Sequence, residues 1–311
     1  FGLSYALFEI PIGTLGDKLG TRRVLAQIVF LWSALTALTG AAWNATSLWA
    51  IRFAFGAGEA GCFPNLTRML SAWLPRAERI KAQAAMWAVA RWGGAITPPL
   101  ALLAINAFGW RYAFLAFGLM GGVWLAFFLR SFKDNPADHK GVNAEELKLL
   151  EGSRALVDDH SVSWLKLFVK PEVAVLAVQY FFFSFVWYFY VTWLPTYLIE
   201  FWHLTKGQAA GYAVIPLAFG GFGSLISGSL PLKIPRRWIA FGGFASTAVL
   251  LLAITKLHSV GLAMLAMGVA SFTSDLTMPI SWNTCVEIGR RYTATVAATM
   301  NMFGNFAGFL A

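Results

Sequence analysis

Apolar residues run for roughly twenty positions at a stretch along this chain, with neither the alternation of a half-buried strand nor the single stripe of a soluble amphipathic helix. Short clusters of Gly, Pro and charge separate the runs. Read as helices of 1.5 Å rise, they predict ten spans near residues 1–16, 24–42, 47–72, 82–108, 112–129, 173–199, 209–230, 238–255, 260–288 and 293–311. A closed barrel also crosses lipid, but its strands alternate apolar and polar positions, whereas Val24 to Ala42 and Thr293 to Ala311 are apolar on every face. The expected fold class is an all-α membrane protein.

One polar stretch interrupts the pattern, Ser131 to Glu172. It contains Asn143-Ala144-Glu145-Glu146, a capping residue with Glu three positions on, followed by Leu147 to Leu150, and so predicts a short surface helix. This segment is read as a linker between two helix bundles: residues 1–130, the linker 131–172, and residues 173–311. An internal echo supports the division. Gly13-Thr14-Leu15-Gly16-Asp17-Lys18-Leu19-Gly20-Thr21-Arg22-Arg23 recurs, one residue shorter, as Gly228-Ser229-Leu230-Pro231-Leu232-Lys233-Ile234-Pro235-Arg236-Arg237. The first copy follows the first span of the chain and the second follows the second span after the linker. Equivalent halves of six spans are therefore expected to be present here as ten of twelve helices, without the first and the last.

Composition agrees with a bilayer setting: 58% of residues are hydrophobic and 13% charged, with mean hydropathy +0.62. The net charge of +9 raises nucleic acid as a partner, but no basic stripe with interleaved aromatics is present, so none is expected. The basic residues sort by side instead. Of the 24 Lys and Arg, eighteen fall in loops on the side of Asp17–Arg23 and the linker, while Arg111, Lys206 and Lys256 fall on the other side. The positive-inside rule makes the central loop cytoplasmic and predicts a multi-pass protein of the cell (inner) membrane, its first span entering from outside. Cys62 and Cys285 lie in apolar spans, and the four His lie in loops without metal-ligand spacing. No metal, cofactor or catalytic constellation is expected, and the protein is not read as an enzyme.

The remaining basic residues, Arg52, Arg68 and Arg91, lie inside spans, as do Glu9, Glu59 and Asp275. A charge at bilayer depth costs about 2.5–3.5 kcal/mol on insertion scales, so each marks a pathway by default. Arg52 and Glu59 are seven residues apart, about 700° around a helix, and share one face with Gly56 between them. Arg52 lies about 8 Å and Glu59 about 18 Å below the outer end of their span, which puts Glu59 near the midplane. Arg91 lies about 14 Å in from the cytoplasmic end of its own span, too deep to snorkel, and is expected to meet an anion. A substrate carboxylate suits its planar fork, with an internal pair to Glu59 or Asp275 as the alternative.

These residues carry a resemblance. Gly13-x-x-x-Asp17-Lys18-x-Gly20-x-Arg22-Arg23 resembles the loop motif between the second and third helices of the major facilitator superfamily. Arg52-x-x-x-Gly56-x-Gly58-Glu59-Ala60, Trp73-Leu74-Pro75-x-x-Glu78-Arg79, Trp187-Tyr188-Phe189-x-x-x-Trp193-Leu194-Pro195-x-Tyr197-Leu198 and Met300-Asn301-Met302-x-Gly304-Asn305 are similar to the anion:cation symporter family, across essentially the whole chain. The resemblance implies the major facilitator fold, with two pseudo-symmetric bundles. It implies that Asp17 belongs to a charge network holding one conformation closed, with Arg22 and Arg23 at the same gate or anchoring headgroups. It also implies that Glu59 couples protons and that Arg52 organises the substrate site; the alternative for this pair is a static ion pair that fixes helix packing.

Other polar and aromatic positions fill in the expectation. Tyr188, Trp193 and Tyr197 read equally as an interfacial belt or as rings for a carbohydrate, with Tyr188 the site candidate the family pattern favours. Asp275, Ser281 and Asn283 are polar at bilayer depth, and Asn301 and Asn305 share a face four residues apart. Ser281 and Asn301 are taken as substrate contacts, Asn305 as packing beside Gly304, and Glu9 and Arg68 as gating or helix pairing. The combined expectation is a monomeric proton-driven symporter of a small organic anion such as a hexonate or hexuronate, working by alternating access in the lipid bilayer. Na⁺ is the alternative coupling ion. Alternatives on the same fold are a neutral-sugar, sugar-phosphate or other carboxylate carrier, and beyond it a non-transporting membrane sensor or enzyme.

Overall fold

In the computed structural model, residues 1–157, 167, 169–230 and 234–311 are described. Much of the later linker, His160 included, and Pro231-Leu232-Lys233 of the second motif copy lie outside the described residues. The rest is helical. Helices α1 (Gly2–Leu19), α2 (Thr21–Thr39), α3 (Ala45–Glu59), α4 (Cys62–Trp73), α5 (Arg79–Phe108) and α6 (Trp110–Ser131) precede the linker helix α7 (Ala144–Val157). After it come α8 (Pro171–Tyr188), α9 (Leu194–Glu200), α10 (Lys206–Ser227), α11 (Arg236–Ile254), α12 (Val260–Asp275), α13 (Met278–Gly289) and α14 (Thr293–Leu310).

Large apolar side chains point outward along these helices: Trp49 is 80% exposed, and Phe127 and Leu252 are each 72% exposed. In water such a surface would aggregate; in hydrocarbon it is the solvated face. Among the described residues, six segments are long and apolar enough to cross a membrane: Arg79–Phe108, Trp110–Ser131, Pro171–Glu200, Lys206–Ser227, Arg236–Ile254 and the compound Val260–Leu310. The remaining predicted spans are more polar or broken. α1 carries Glu9, Asp17 and Lys18, and α2 starts on Arg22 and Arg23.

Three spans expected to be continuous are not. The span at 47–72 divides into α3 and α4, because Ala60 is extended (ψ 144°) and Gly61 takes φ 75°, a left-handed conformation that glycine adopts without penalty. The span at 173–199 passes through a π-helical turn, Phe189–Trp193, between α8 and α9. Pro195 has no N–H for the carbonyl of Val191, so the regular ladder slips there. The span at 260–288 breaks at Leu276-Thr277, where Pro279 likewise cannot donate back to Asp275. Helix starts follow their capping sequences. Asn143 and Glu146 exchange bonds at α7 (Glu146 N–H to Asn143 Oδ1 2.8 Å, Asn143 N–H to Glu146 Oε2 3.0 Å), as do Asn44 with Ser47 at α3 and Thr205 with Gln208 at α10.

The chain forms two compact units that interleave in sequence. The first comprises Phe1–Arg76, Leu102–Ser184 and Thr284–Ala311, and the second Ala77–Ala101 and Phe185–Asn283. Within the first, α1 packs along α14 and α2 along α6. The approach of α1 to α14 depends on Gly13, where a Cβ would lie 2.6 Å from Ala298 Cβ and 2.7 Å from the Ala294 carbonyl oxygen. Within the second, α12 packs between α10 and α11, and Thr247 Oγ1 donates across to the Ala270 carbonyl at 3.0 Å.

Candidate functional site

The first unit holds two polar clusters. At the C-terminal end of α1, the buried Asp17 carboxylate accepts from Thr295 N–H (2.8 Å), Thr295 Oγ1 (2.7 Å) and Ala294 N–H (3.2 Å), and so caps the start of α14. Arg68 of α4 completes it at 2.7 Å and also donates to the Arg291 carbonyl. The neighbouring basic residues do other work. Arg22 donates Nη2 to the Leu129 carbonyl at the end of α6 (2.6 Å), tying α2 to α6, while Arg23 is exposed. Gly20, at φ 89°, leaves room for linker residue Asp134, which caps α2 by accepting from Arg22 N–H (2.7 Å) and Thr21 Oγ1 (2.9 Å).

Deeper in this unit, the break between α3 and α4 frees the Gly61 N–H, which donates to Glu9 Oε2 at 3.0 Å. The other oxygen of this fully buried acid accepts from Asn301 Nδ2 of α14. Asn301, expected to meet substrate, thus spends its amide on Glu9, and Glu9 joins three helices. Arg52 and Glu59 lie in the same unit without touching each other, and the ion pair considered for them is not formed. The Arg52 guanidinium is drawn instead over the rings of Phe55 (4.9 Å) and Phe1 (5.4 Å). Glu59 is half-buried at the last position of α3, within electrostatic reach of Arg52 and Glu9. Gly56 lets α1 approach closely, since a Cβ there would lie 2.2 Å from Ser4 Oγ.

The second unit centres on Arg91. Its Nε and Nη2 donate to Asp275 Oδ1 at 2.9 and 2.8 Å, both side chains being 3% or less exposed. The guanidinium lies 3.5 Å from the Trp187 ring centroid and 6.0 Å from that of Trp87. The carboxylate at Arg91 is therefore internal in this conformation, the pairing with Asp275 that the sequence offered as the alternative to a substrate carboxylate. Asp275 stands where α12 ends, and that places it within reach. Tyr188 is half-buried at the last residue of α8, beside the π turn, and Ser281 is buried in α13.

Two residues of this site carry little signal in the sequence. Trp187, the ring under Arg91, stands there only as one aromatic of a motif rich in them. Gln83 shares the α5 face of Trp87 and Arg91 at four-residue spacing, is 1% exposed, and has neither amide atom hydrogen-bonded among the described residues. The four-residue stripe Gln83, Trp87, Arg91 was the available signal. Among the described residues no group of three or more His, Cys, Asp and Glu side chains could hold a metal ion.

Apolar helices with outward hydrophobic side chains, and ionisable groups paired along them, define a multi-pass membrane protein with the charged interior that a transporter uses. The comparisons place it further: the chain belongs to the Major Facilitator Superfamily, which it matches over residues 1–311. It is 32% identical over 324 residues to a probable sulfoacetate transporter of Cupriavidus necator, covering 100% of this chain and 74% of that protein. It is 29% identical over 341 residues to a probable galactarate/D-glucarate transporter of Escherichia coli, covering 100% of this chain and 76% of the relative. Among solved structures, a proton:xylose symporter of the superfamily superposes with a TM-score of 0.77 at 14% identity, over 99% of this chain and 76% of that one, a likeness of fold.

Proposed function

We propose that this protein is a proton-coupled secondary transporter of small carboxylate-bearing organic anions, with sugar acids such as hexonates, hexarates or hexuronates as its cargo. The observation that carries this reading is the fully buried Arg91 on α5, with Trp187 against its planar face. A guanidinium is retained at that depth at high cost, and its flat fork over a ring suits a carboxylate attached to a carbon chain. The names of the two relatives, carriers of sulfoacetate and of galactarate and D-glucarate, point to the same substrate class. Gln83, about 12 Å further along the same helix face, has a donor and an acceptor open for a hydroxyl.

Coupling is assigned to Glu59, with H⁺ preferred to Na⁺. Its guanidinium neighbour is engaged with two rings, and it sits at a helix break, where a small backbone change alters what the carboxylate meets. Arg52, Tyr188, Ser281 and Asn301 are assigned to the substrate, Asn301 once Glu9 releases it. Asp17 is assigned to the gate, with Arg22 and Arg23 holding the α1–α2 corner beside it. Alternating access takes residues 1–130 and 173–311 as the moving bundles and 131–172 as a cytoplasmic linker, in a monomer in the cell membrane.

Counterflow in proteoliposomes with labelled galactonate, glucuronate and glucose tests the cargo. Exchange of the two acids but not of glucose is expected, and glucose exchange that survives Arg91→Ala would refute the anion assignment. External alkalinisation of lightly buffered vesicles during uptake tests the coupling, and its absence would remove the proton.

A further inference from the structure

Asp275 is held to Arg91 by one oxygen. Oδ1 takes two guanidinium N–H groups, and among the described residues Oδ2 takes only Ser271 Oγ, at 3.3 Å. A hydroxyl bond to a carboxylate usually closes to 2.5–2.7 Å, and an Arg–carboxylate pair is strongest when two parallel N–H···O bonds use both oxygens. The internal acid therefore fills the fork in its less favourable way, and a carboxylate presenting two oxygens fits it better. The seat of Asp275 is also yielding. It is the last residue of α12, next to the break at Leu276-Thr277. Its room depends on Gly220 of α10, where a Cβ would lie 2.5 Å from Asp275 Oδ2 and 2.6 Å from Ser271 Oγ.

Removing a carboxylate from a buried guanidinium without replacing it is costly, whereas exchanging one carboxylate for another keeps the guanidinium paired, the displaced Asp275 turning out at the helix break or taking up a proton. We infer that Asp275 is a resident ligand of Arg91 which the transported carboxylate displaces, so that this one side chain sets which solutes are admitted. An acid can replace it, while a neutral polyol that separated the pair would leave the guanidinium buried without a carboxylate. Specificity then arises from a penalty against the wrong solute as well as from attraction to the right one. On leaving, the substrate is replaced by Asp275, which assists release. This rests on the assignment of Arg91 to the substrate anion.

The test uses the whole protein in proteoliposomes, with galactonate, acetate and glucose as probes. In Asp275→Asn, galactonate affinity is expected to rise about tenfold, the worth of one modest competing interaction. Acetate is expected to become an effective competitor, and net uptake to fall because release is slowed. Unchanged or weaker galactonate binding, with no new competition by acetate, would overturn the proposal. Should that variant fail to fold, Gly220→Ala moves the acid from its seat without removing its charge and is expected to change affinity in the same direction. In the native protein, isotope-edited infrared difference spectra with ¹³C-labelled aspartate are expected to show a carboxylate band shifting on galactonate addition, and an unmoved aspartate band would refute displacement. Arg91→Gln separates the two ideas. Retained galactonate binding in it refutes the anion contact itself, whereas lost binding with a neutral Asp275→Asn refutes only the exchange.

Discussion

Asp17 with Arg68 and Asp275 with Arg91 are both Arg–Asp pairs with a buried acid, yet they are held in different ways. Asp17 is satisfied four ways, by Arg68, two backbone N–H groups and the Thr295 hydroxyl. Three of its donors belong to the first turn of α14, so the acid stays capped while the helix stays folded. Among the described residues Asp275 has no such backbone support. Its partners are a long guanidinium and a hydroxyl at 3.3 Å, and it stands at a helix end where the chain already breaks. A pair braced by a helix start makes a latch released by moving the whole helix. A pair held by one side chain against another can be opened by a competing ligand.

Substitutions in the two pairs should differ accordingly. The largest effect is expected from Arg91→Ala: loss of a charged contact worth about 3 kcal/mol reduces anion affinity about a hundredfold. The isolated Asp275 should cost about 3–5 kcal/mol of stability. Uptake and thermal unfolding in detergent measure both, and adding Asp275→Asn to Arg91→Ala should restore the stability without restoring uptake. Next comes Glu59→Gln, which should abolish uptake driven by a pH gradient while leaving counterflow within about threefold, a change under 1 kcal/mol. Equal loss of the two activities would show Glu59 to be structural.

Asp17→Asn comes third. Its amide still accepts from the start of α14 but has lost its charge opposite Arg68, and a cost of about 1–3 kcal/mol is expected, with substrate affinity retained. A fall in affinity matching that of Arg91→Ala would end the distinction between latch and ligand site. The smallest effect belongs to Arg76→Ala. Its contact with Glu287 spans 3.9 Å and its side chain is 70% exposed, so unfolding should shift by no more than about 0.5 kcal/mol.

Much of this arrangement was legible in the sequence. Arg52, Glu59, Arg91 and Asp275 stood out as charges at bilayer depth, and Gly13 to Arg23 stood out as a loop motif, within which Gly20 takes φ 89°. The helix breaks were less visible. Pro195 and Pro279 were in plain view, but hydropathy alone reads straight through a proline, because losing one backbone bond leaves the apolar run intact. Gln83 was missed because a lone amide in an apolar run reads as packing until its surroundings prove to offer it no partner.

Hydropathy and helical period are sums over neighbouring residues, so the chain by itself determined its helices and the presence of ionisable groups at mid-span. It did not decide which of those groups meet. Arg91 and Asp275 are 184 positions apart and Asn301 and Glu9 are 292 apart, and several acids were within conceivable reach of each cation. Packing made the choice. The turn at Gly61 aimed an N–H at Glu9, the absence of a side chain at Gly220 left room for Asp275, and two phenylalanine rings drew Arg52 away from Glu59. Steric fit between distant segments is a property of the folded bundle, so those pairings emerged only with the tertiary structure.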